Sequence, residues 1–151
     1  MADVYLYDAV RTPRGKARSD GGLAGLSPQE LVRQQAAALA ARCGDVARNP
    51  DALLLGCVTQ SGAQGGHIAM LAKLHASLPD TTAAHSINNY CASGLSAIGQ
   101  AVAKVVSGEA SCILAGGVES MSATPSFAGG CIPRPSAIRW RCAIVEARGP
   151  C

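Results

Sequence analysis

Two periods of apolar and polar positions alternate along most of this chain. Residues 4–10 (VYLYDAV) are rich in β-branched and aromatic types and predict an opening strand. A Gly- and Arg-rich stretch, RTPRGKARSDGGLAGL, has no period and reads as a loop. Ser27-Pro28-Gln29-Glu30 then carries the start signals of a helix. Ser27 suits the N-cap, Pro28 the first helical position, and Glu30 closes a capping box. Leu31, Val32, Gln35, Ala36, Leu39, Ala40 and Cys43 share one face of it, and Gly44 ends it. Residues 52–58 (ALLLGCV) are apolar throughout, which predicts a strand covered on both faces. Ile68, Leu71, Leu74, His75 and Leu78 return at helical spacing, up to Pro79. Residues 84–90 (AHSINNY) are a weaker strand candidate. A helix over 92–106 is expected to turn Leu95, Ile98, Val102, Val105 and Val106 to the core, with Gly108 beyond its end. Residues 112–115 form another buried strand, leading into Gly116-Gly117-Val118-Glu119-Ser120-Met121.

Strands are thus expected near 4–10, 52–58, 84–90 and 111–116, and helices near 28–43, 67–78 and 92–107. Strand and helix alternate, so the fold class is α/β: a mostly parallel sheet with helices on both faces. After Ser122 the periodicity stops, and residues 131–151 carry no clear element. Pro133 and Pro135 oppose regular pairing, and four Arg resist burial there.

Composition narrows the function. The 151 residues are 48% hydrophobic and 15% charged, enough apolar material for a sizeable core and unlike a disordered chain. Three Tyr, one Phe and one Trp leave little to stack on bases, so nucleic acid is not an expected partner. No apolar run approaches the ~18 residues that cross a bilayer. The opening Met-Ala-Asp-Val shows neither the basic start nor the apolar core of an export signal, which points to a cytoplasmic protein. Net charge is +3, and its distribution is uneven. In residues 1–130 nine Lys/Arg offset nine Asp/Glu, whereas Arg134, Arg139, Arg141 and Arg148 face only Glu146 beyond them. Three of the seven cysteines, three of the eight prolines and the one Trp fall in that last stretch as well.

The cysteines stand at 43, 57, 91, 112, 131, 142 and 151, with no C-x-x-C pair. That spacing argues against a metal or redox module, and no metal site is expected. Cys91 is the candidate for chemistry. It follows a strand candidate and stands at the first turn of a helix, where backbone N–H groups and the helix dipole favour a thiolate. The same N–H groups suit an oxyanion on a carbonyl under attack. The position is also the carboxyl edge of the sheet, where α/β proteins bind ligands. Ala92, Ser93 and Gly94 leave room for a substrate. Against this stands the plain alternative, a small buried hydrophobe. The hydrolase elbow Gly-x-nucleophile-x-Gly does not fit, because Asn89 and Ser93 occupy the glycine positions. Gly21-Gly22-Leu23-Ala24-Gly25 lacks the register of a phosphate loop, and Gly116-Gly117 reads as a tight turn near the cysteine. His67, His75 and His85 are expected to be structural rather than catalytic bases, and Glu119 solvated or structural.

At Cys91 the chain resembles a known family. NNYCASGLSAI is similar to the nucleophile segment of thiolases, the acetyl-CoA C-acyltransferases. AVRTPRGK at 9–16 resembles the thiolase opening strand and loop. Gly56-Cys57-Val58-Thr59-Gln60 with Gly65 and Gly66 resembles the second-strand loop. Residues 115–122 (AGGVESMS) match the Gly-Gly-x-Glu-x-Met segment. The matches run in family order over residues 3 to about 128.

The resemblance implies a two-step acyl transfer with Cys91 as nucleophile. Cys91 attacks the 3-keto carbon of a 3-ketoacyl-CoA, acetyl-CoA leaves, and the acyl-Cys91 thioester passes to the thiol of a second coenzyme A. Reversed, two acetyl-CoA condense. Coenzyme A is then a substrate, no cofactor is held permanently, acyl-CoA is the partner, and homo-oligomers are expected as in the intact family. The family also uses a histidine in Gly-His-Pro, a second cysteine in Cys-x-Gly and an asparagine in Asn-Glu-x-Phe. None of these motifs occurs in this chain. Residues 1–130 are therefore expected to be a partial, truncated thiolase N-terminal domain. Residues 131–151 are expected to be an atypical tail, frame-shifted or disordered; a genuine alternative end of the gene is the other reading. Two functions follow: a thiolase-type enzyme that is inactive alone, or a non-catalytic fragment that only dimerises or binds.

Overall fold

The computed structural model describes residues 3–122 and 141–148. Among these, five strands form one sheet: β1 (Asp3–Val10), β2 (Ala52–Gly56), β3 (Ala83–Ile87), β4 (Cys112–Gly117) and β5 (Arg141–Arg148). Their order across the sheet is β1-β5-β4-β2-β3. β2 runs parallel to both β3 and β4, while β5 runs antiparallel to β4 and β1. The helices are α1 (Pro28–Cys43), the single turn α2 (Asp45–Arg48), α3 (Ile68–His75) and α4 (Ser93–Val106). The α/β reading therefore holds. No helix is long and apolar enough to cross a membrane among the described residues.

Alternation along the central strands divides the core in two. Leu53, Leu55 and Cys57 point with Cys112 and Leu114 to one face, where they meet Leu31, Val32 and Leu39 of α1 and Ile68, Ala69 and Ala72 of α3. Ala52 and Leu54 point with Ile113 and Ala115 to the other, against Ala97, Ala101 and Val105 of α4. All five residues of β2 are buried, as expected for a strand covered on both sides. Each of its fully buried leucines contributes about 1.5–3 kcal/mol of transfer free energy.

α1 begins at the cap its sequence predicts, but the capping box is only half made, because the Glu30 carboxylate turns to other partners and not back to the Ser27 N–H. The Ser27 hydroxyl accepts the Glu30 N–H at 3.1 Å, and Pro28 opens the helix. The carboxylate of Glu30 goes to Arg33 at 2.7 Å, Gln34 at 2.9 Å and His75 of α3 at 3.0 Å. These hydrogen bonds, that of Arg33 foremost, hold the Glu30 carboxyl well below the usual carboxylate range. Glu30 thus ties α1 to α3.

Three expectations are corrected. The core face of α4 is Ser93, Ala97, Ala101 and Val105, whereas Leu95 is 73% exposed and Val102 and Val106 also face outward. In α3, for which the spacing assigns no inward face, Ile68, Ala69 and Ala72 are buried while Leu71 and Leu74 are exposed. Small residues face the sheet because the helices approach it closely; an apolar period alone does not say which edge of a wide stripe turns inward. Gly116 and Gly117 belong to β4 and make no turn. Finally, a strand stands where the pattern assigns no element. β5 lies between two strands whose ladders it completes, so a short run with Ile144 and Val145 suffices there. The prolines at 133 and 135, the remainder of 131–140 and residues 149–151 lie outside the described residues.

The closest approach in this core is at the start of α4. A Cβ on Gly56, the last residue of β2, would lie 2.5 Å from the carbonyl carbon of Ser93 and 2.6 Å from the N of Gly94. One on Gly117 would lie 3.1 Å from the Gly56 carbonyl oxygen and 3.3 Å from Cα of Gly94. The first turn of α4 therefore rests directly on the ends of β2 and β4.

Gly56→Ala pushes backbone against backbone, and a loss of roughly 1–3 kcal/mol in urea unfolding is expected. Gly99, in mid-α4, has open space at its Cβ position, so Gly99→Ala is expected to stabilise by about 0.5–1 kcal/mol. Equal effects of the two would mean that α4 does not sit on Gly56. In the sheet, Val145 is paired with both Leu6 and Ile113, and β1 has β5 as its strand neighbour. Val145→Pro removes a ladder donor and should speed amide exchange across β1 while leaving β2 and β3 protected. Unchanged exchange in β1 would show that β5 does not hold it.

Candidate active site

The chain leaves β3 at Ile87 and enters α4 at Ser93, with Ala92 as its cap. Cys91 is exposed in the turn between them. It precedes the cap, and so stands one step ahead of the first helical turn expected from sequence. Tyr90 bends the chain into that position with φ at +47°, a left-handed conformation that costs a non-glycine residue about 1–2 kcal/mol. Local hydrogen bonds hold it. The Tyr90 N–H donates to Oδ1 of Asn88 at 3.1 Å, and the Tyr90 carbonyl accepts from the Ser93 N–H at 3.0 Å and the Ser93 hydroxyl at 2.5 Å. Ser93 Oγ in turn accepts the Asn89 N–H at 2.9 Å, and the Asn89 amide donates to Ser96. Ala92 offers no side-chain cap to α4. Its leading N–H groups therefore carry the positive end of the helix dipole toward the turn that bears Cys91.

A second layer lies behind this turn. Glu119, just past β4, reaches across to the loop after β2. Its Oε2 accepts the Val58 N–H at 2.9 Å, and its Oε1 accepts the Thr59 N–H and Nε2 of Gln64, each at 3.2 Å. Gln64 is fully buried. Its Nε2 also donates to the Thr59 carbonyl at 2.8 Å, and its Oε1 accepts the Ser120 N–H. Glu119 is structural, then, rather than solvated. From the far side of the same peptide, the Val58 carbonyl accepts Nδ2 of Asn88 at 3.1 Å. Cys57 is buried beside Glu119. Burial first, and then the neighbouring carboxylate, pushes its thiol up to about 12. Cys57 is thus held as an inert thiol.

Two of the three histidines are engaged elsewhere. His67 caps α3, with Nδ1 accepting the Met70 N–H at 3.3 Å and lying 2.9 Å from Ser86 Oγ. Because Ser86 Oγ accepts the Ala69 N–H, its own proton goes to Nδ1, which is thereby used as an acceptor. His75 pairs with Glu30, and His85 is exposed on β3. Of the residues around Cys91, Gln64 and the bend at Tyr90 carry no signal in the sequence, and Asn88 is marked only as part of the segment NNYCASGLSAI. Nothing short of the fold places residue 64 beside residue 119.

Comparison with known proteins fits this arrangement. The family profile described as the thiolase N-terminal domain matches residues 4–135. The beta-ketoadipyl-CoA thiolase of Pseudomonas knackmussii is 41% identical over 134 residues, which cover 84% of this chain and 31% of that protein. The 3-ketoacyl-CoA thiolase of Bacillus subtilis is 36% identical, over 90% of this chain and 34% of its own. The fold superimposes on the acetyl-CoA acetyltransferase of Bacillus anthracis with a TM-score of 0.75, at 29% identity over 91% of this chain and 36% of the other. On human mitochondrial 3-ketoacyl-CoA thiolase in complex with CoA the TM-score is 0.72, at 28% identity, covering 90% and 35%. The chain spans about a third of the length of the curated relatives it matches. Over that third the sequence profile, the order of its motifs and the sheet agree, and the chain belongs to the thiolase family.

Proposed function

We propose that Cys91 is the nucleophile of a thiolase-type acyl transfer, with 3-ketoacyl-CoA or acetyl-CoA and coenzyme A as substrates. The observation that carries this reading is the exposed thiol in a tight turn at the uncapped start of α4, beside the ends of the parallel strands. The Cys91 sulfur adds to the 3-keto carbon, and the bond between the second and third acyl carbons breaks. Its electron pair, taking up a proton, leaves as acetyl-CoA. The acyl-Cys91 thioester is then attacked by the thiol of coenzyme A, which returns the proton and frees the sulfur. Backbone N–H groups at the start of α4 suit the oxyanion of each addition. The family's Gly-His-Pro, Cys-x-Gly and Asn-Glu-x-Phe motifs are absent from these 151 residues, His67 and His75 have other partners, and His85 is exposed on β3. This chain therefore supplies the nucleophile without the base, and does not turn over alone. A cytoplasmic location belongs to the same reading.

A second reading, a dimerising module, is favoured by one feature. β3 is an edge strand, and the residues leading from it into α4 expose large apolar groups, with Tyr90 at 79% and Leu95 at 73%. Self-association through this face is expected, and Leu95→Glu should weaken it. Light scattering at increasing concentration decides, since a monomer throughout would refute it.

Brief treatment with iodoacetamide and mass mapping tests the nucleophile. Cys91 is expected to be alkylated ahead of Cys57 and Cys112, which are buried. An ordinary thiol is ionised above 9.0, but folded Cys57 waits until about 12, so Cys57 stays unlabelled across that window while the fold holds. The sign for stability follows: the neutral thiol's contribution is complete below 9.0 and is lost as pH rises toward about 12. Preferential labelling of Cys57 would end the Cys91 reading. With acetoacetyl-CoA and CoA, no measurable thiolysis is expected, since loss of a general base alone removes ~10²–10⁴-fold. Turnover abolished by Cys91→Ala would instead reveal a base among the three histidines.

A further inference from the structure

We infer that Glu119 is a positioning residue for Cys91, acting through the Val58–Thr59 peptides and Asn88. This rests on the reading of Cys91 as the nucleophile and adds to it the group that fixes where the sulfur stands. Glu119 does not reach the turn itself. It accepts the N–H groups of Val58 and Thr59, and so sets the tilt of the strand-end loop. The carbonyl of the same Val58 receives the Asn88 amide. Asn88 then spends its other end, Oδ1, on the N–H of Tyr90, the residue held at φ +47° next to Cys91. Each link uses opposite ends of one planar group, so a tilt at Val58 is passed on rather than absorbed.

Both carboxylate oxygens are needed. Glu119 meets the Val58 N–H, the Thr59 N–H and Gln64 Nε2, all of them donors. A glutamine there would present an amide NH2 to one of them and orphan it. Gln64 has no freedom to compensate, because it is fully buried and its Oε1 is committed to the Ser120 N–H. The thiol of Cys57 neighbours the same carboxylate, but burial is the larger cause of its protection, so its labelling reports on whether the surroundings stay folded.

The test is a double-mutant cycle on the full chain, read by the iodoacetamide rates of Cys91 and Cys57 and by amide NMR shifts. Glu119→Gln is expected to slow Cys91 alkylation about 2–5-fold, the range set by a misaligned helix terminus, while Cys57 stays protected. Asn88→Ala should do the same, and the double variant should be no slower than either single one. In the amide spectrum Glu119→Gln should move Val58, Thr59, Tyr90 and Cys91, and only the first two when Asn88 is already Ala. Additive effects, an unchanged Cys91 rate with Cys57 protected, or Cys57 becoming reactive along with Cys91 would each overturn the relay. If Cys91 were not labelled ahead of Cys57 in the unsubstituted chain, the nucleophile reading would fall. The Tyr90 and Cys91 shifts would still decide the relay.

Discussion

Everything near Cys91 depends on how closely α4 comes to the sheet. Ordinary helix-on-sheet packing interposes side chains. Here Gly56, Gly94 and Gly117 remove them at one point, and the first turn of the helix touches strand backbone. The Val118 N–H donates to the Gly56 carbonyl at 2.9 Å, so β2 and β4 are locked together under that contact. The turn before α4 is thereby drawn down to the strand ends. Further along, Ala97 and Ala101 keep the helix close. The same small residues leave Leu95, Val102 and Val106 of α4 on the outside, so the apolar outer face follows from the geometry that builds the site.

Legibility in the sequence follows the same division. α1 is read nearly to the residue, because Ser27, Pro28 and Gly44 are local signals and its large residues face inward. β2 is read for a similar reason, since an unbroken apolar run has one structural use in an α/β chain. The inward face of α4 is read correctly at Val105 and misread at Leu95, Val102 and Val106, since alanine and leucine count alike as apolar while Ala97 and Ala101 are the residues that fit under the helix. β5 is missed because what makes it a strand is the pair of open edges on β1 and β4, supplied by residues far away in the chain. Cys91 itself is found from its place after a strand and before a helix. Its exact relation to the cap is not, because the left-handed bend falls on a tyrosine, a residue that gives no warning of it.

The site shows a comparable split between what is near in sequence and what is near in space. Asn88, Asn89, Ser93 and Ser96 are neighbours of Cys91 along the chain, and their short polar side chains form the turn. Glu119 and Gln64 belong to other loops and meet only because parallel strands deliver their carboxyl ends to one edge. Parallel β2, β3 and β4 each end there, which gathers Val58, Asn88 and Glu119 from three segments.

Two thiols near that edge stand in opposite surroundings. Cys57 continues β2 inward, is 1% exposed, and lies against a carboxylate, so both surroundings disfavour its ionised form. Cys91 is exposed, ahead of a helix whose cap supplies no side chain. Among the described residues, the charge of Glu119 is met by backbone N–H groups and an amide rather than by a cation. A cation there would offset the field that keeps Cys57 protonated. Dipolar partners satisfy the carboxylate's hydrogen bonds and leave its charge in place, so one acidic residue shapes the loop and adds to the burial that already keeps the Cys57 thiol neutral.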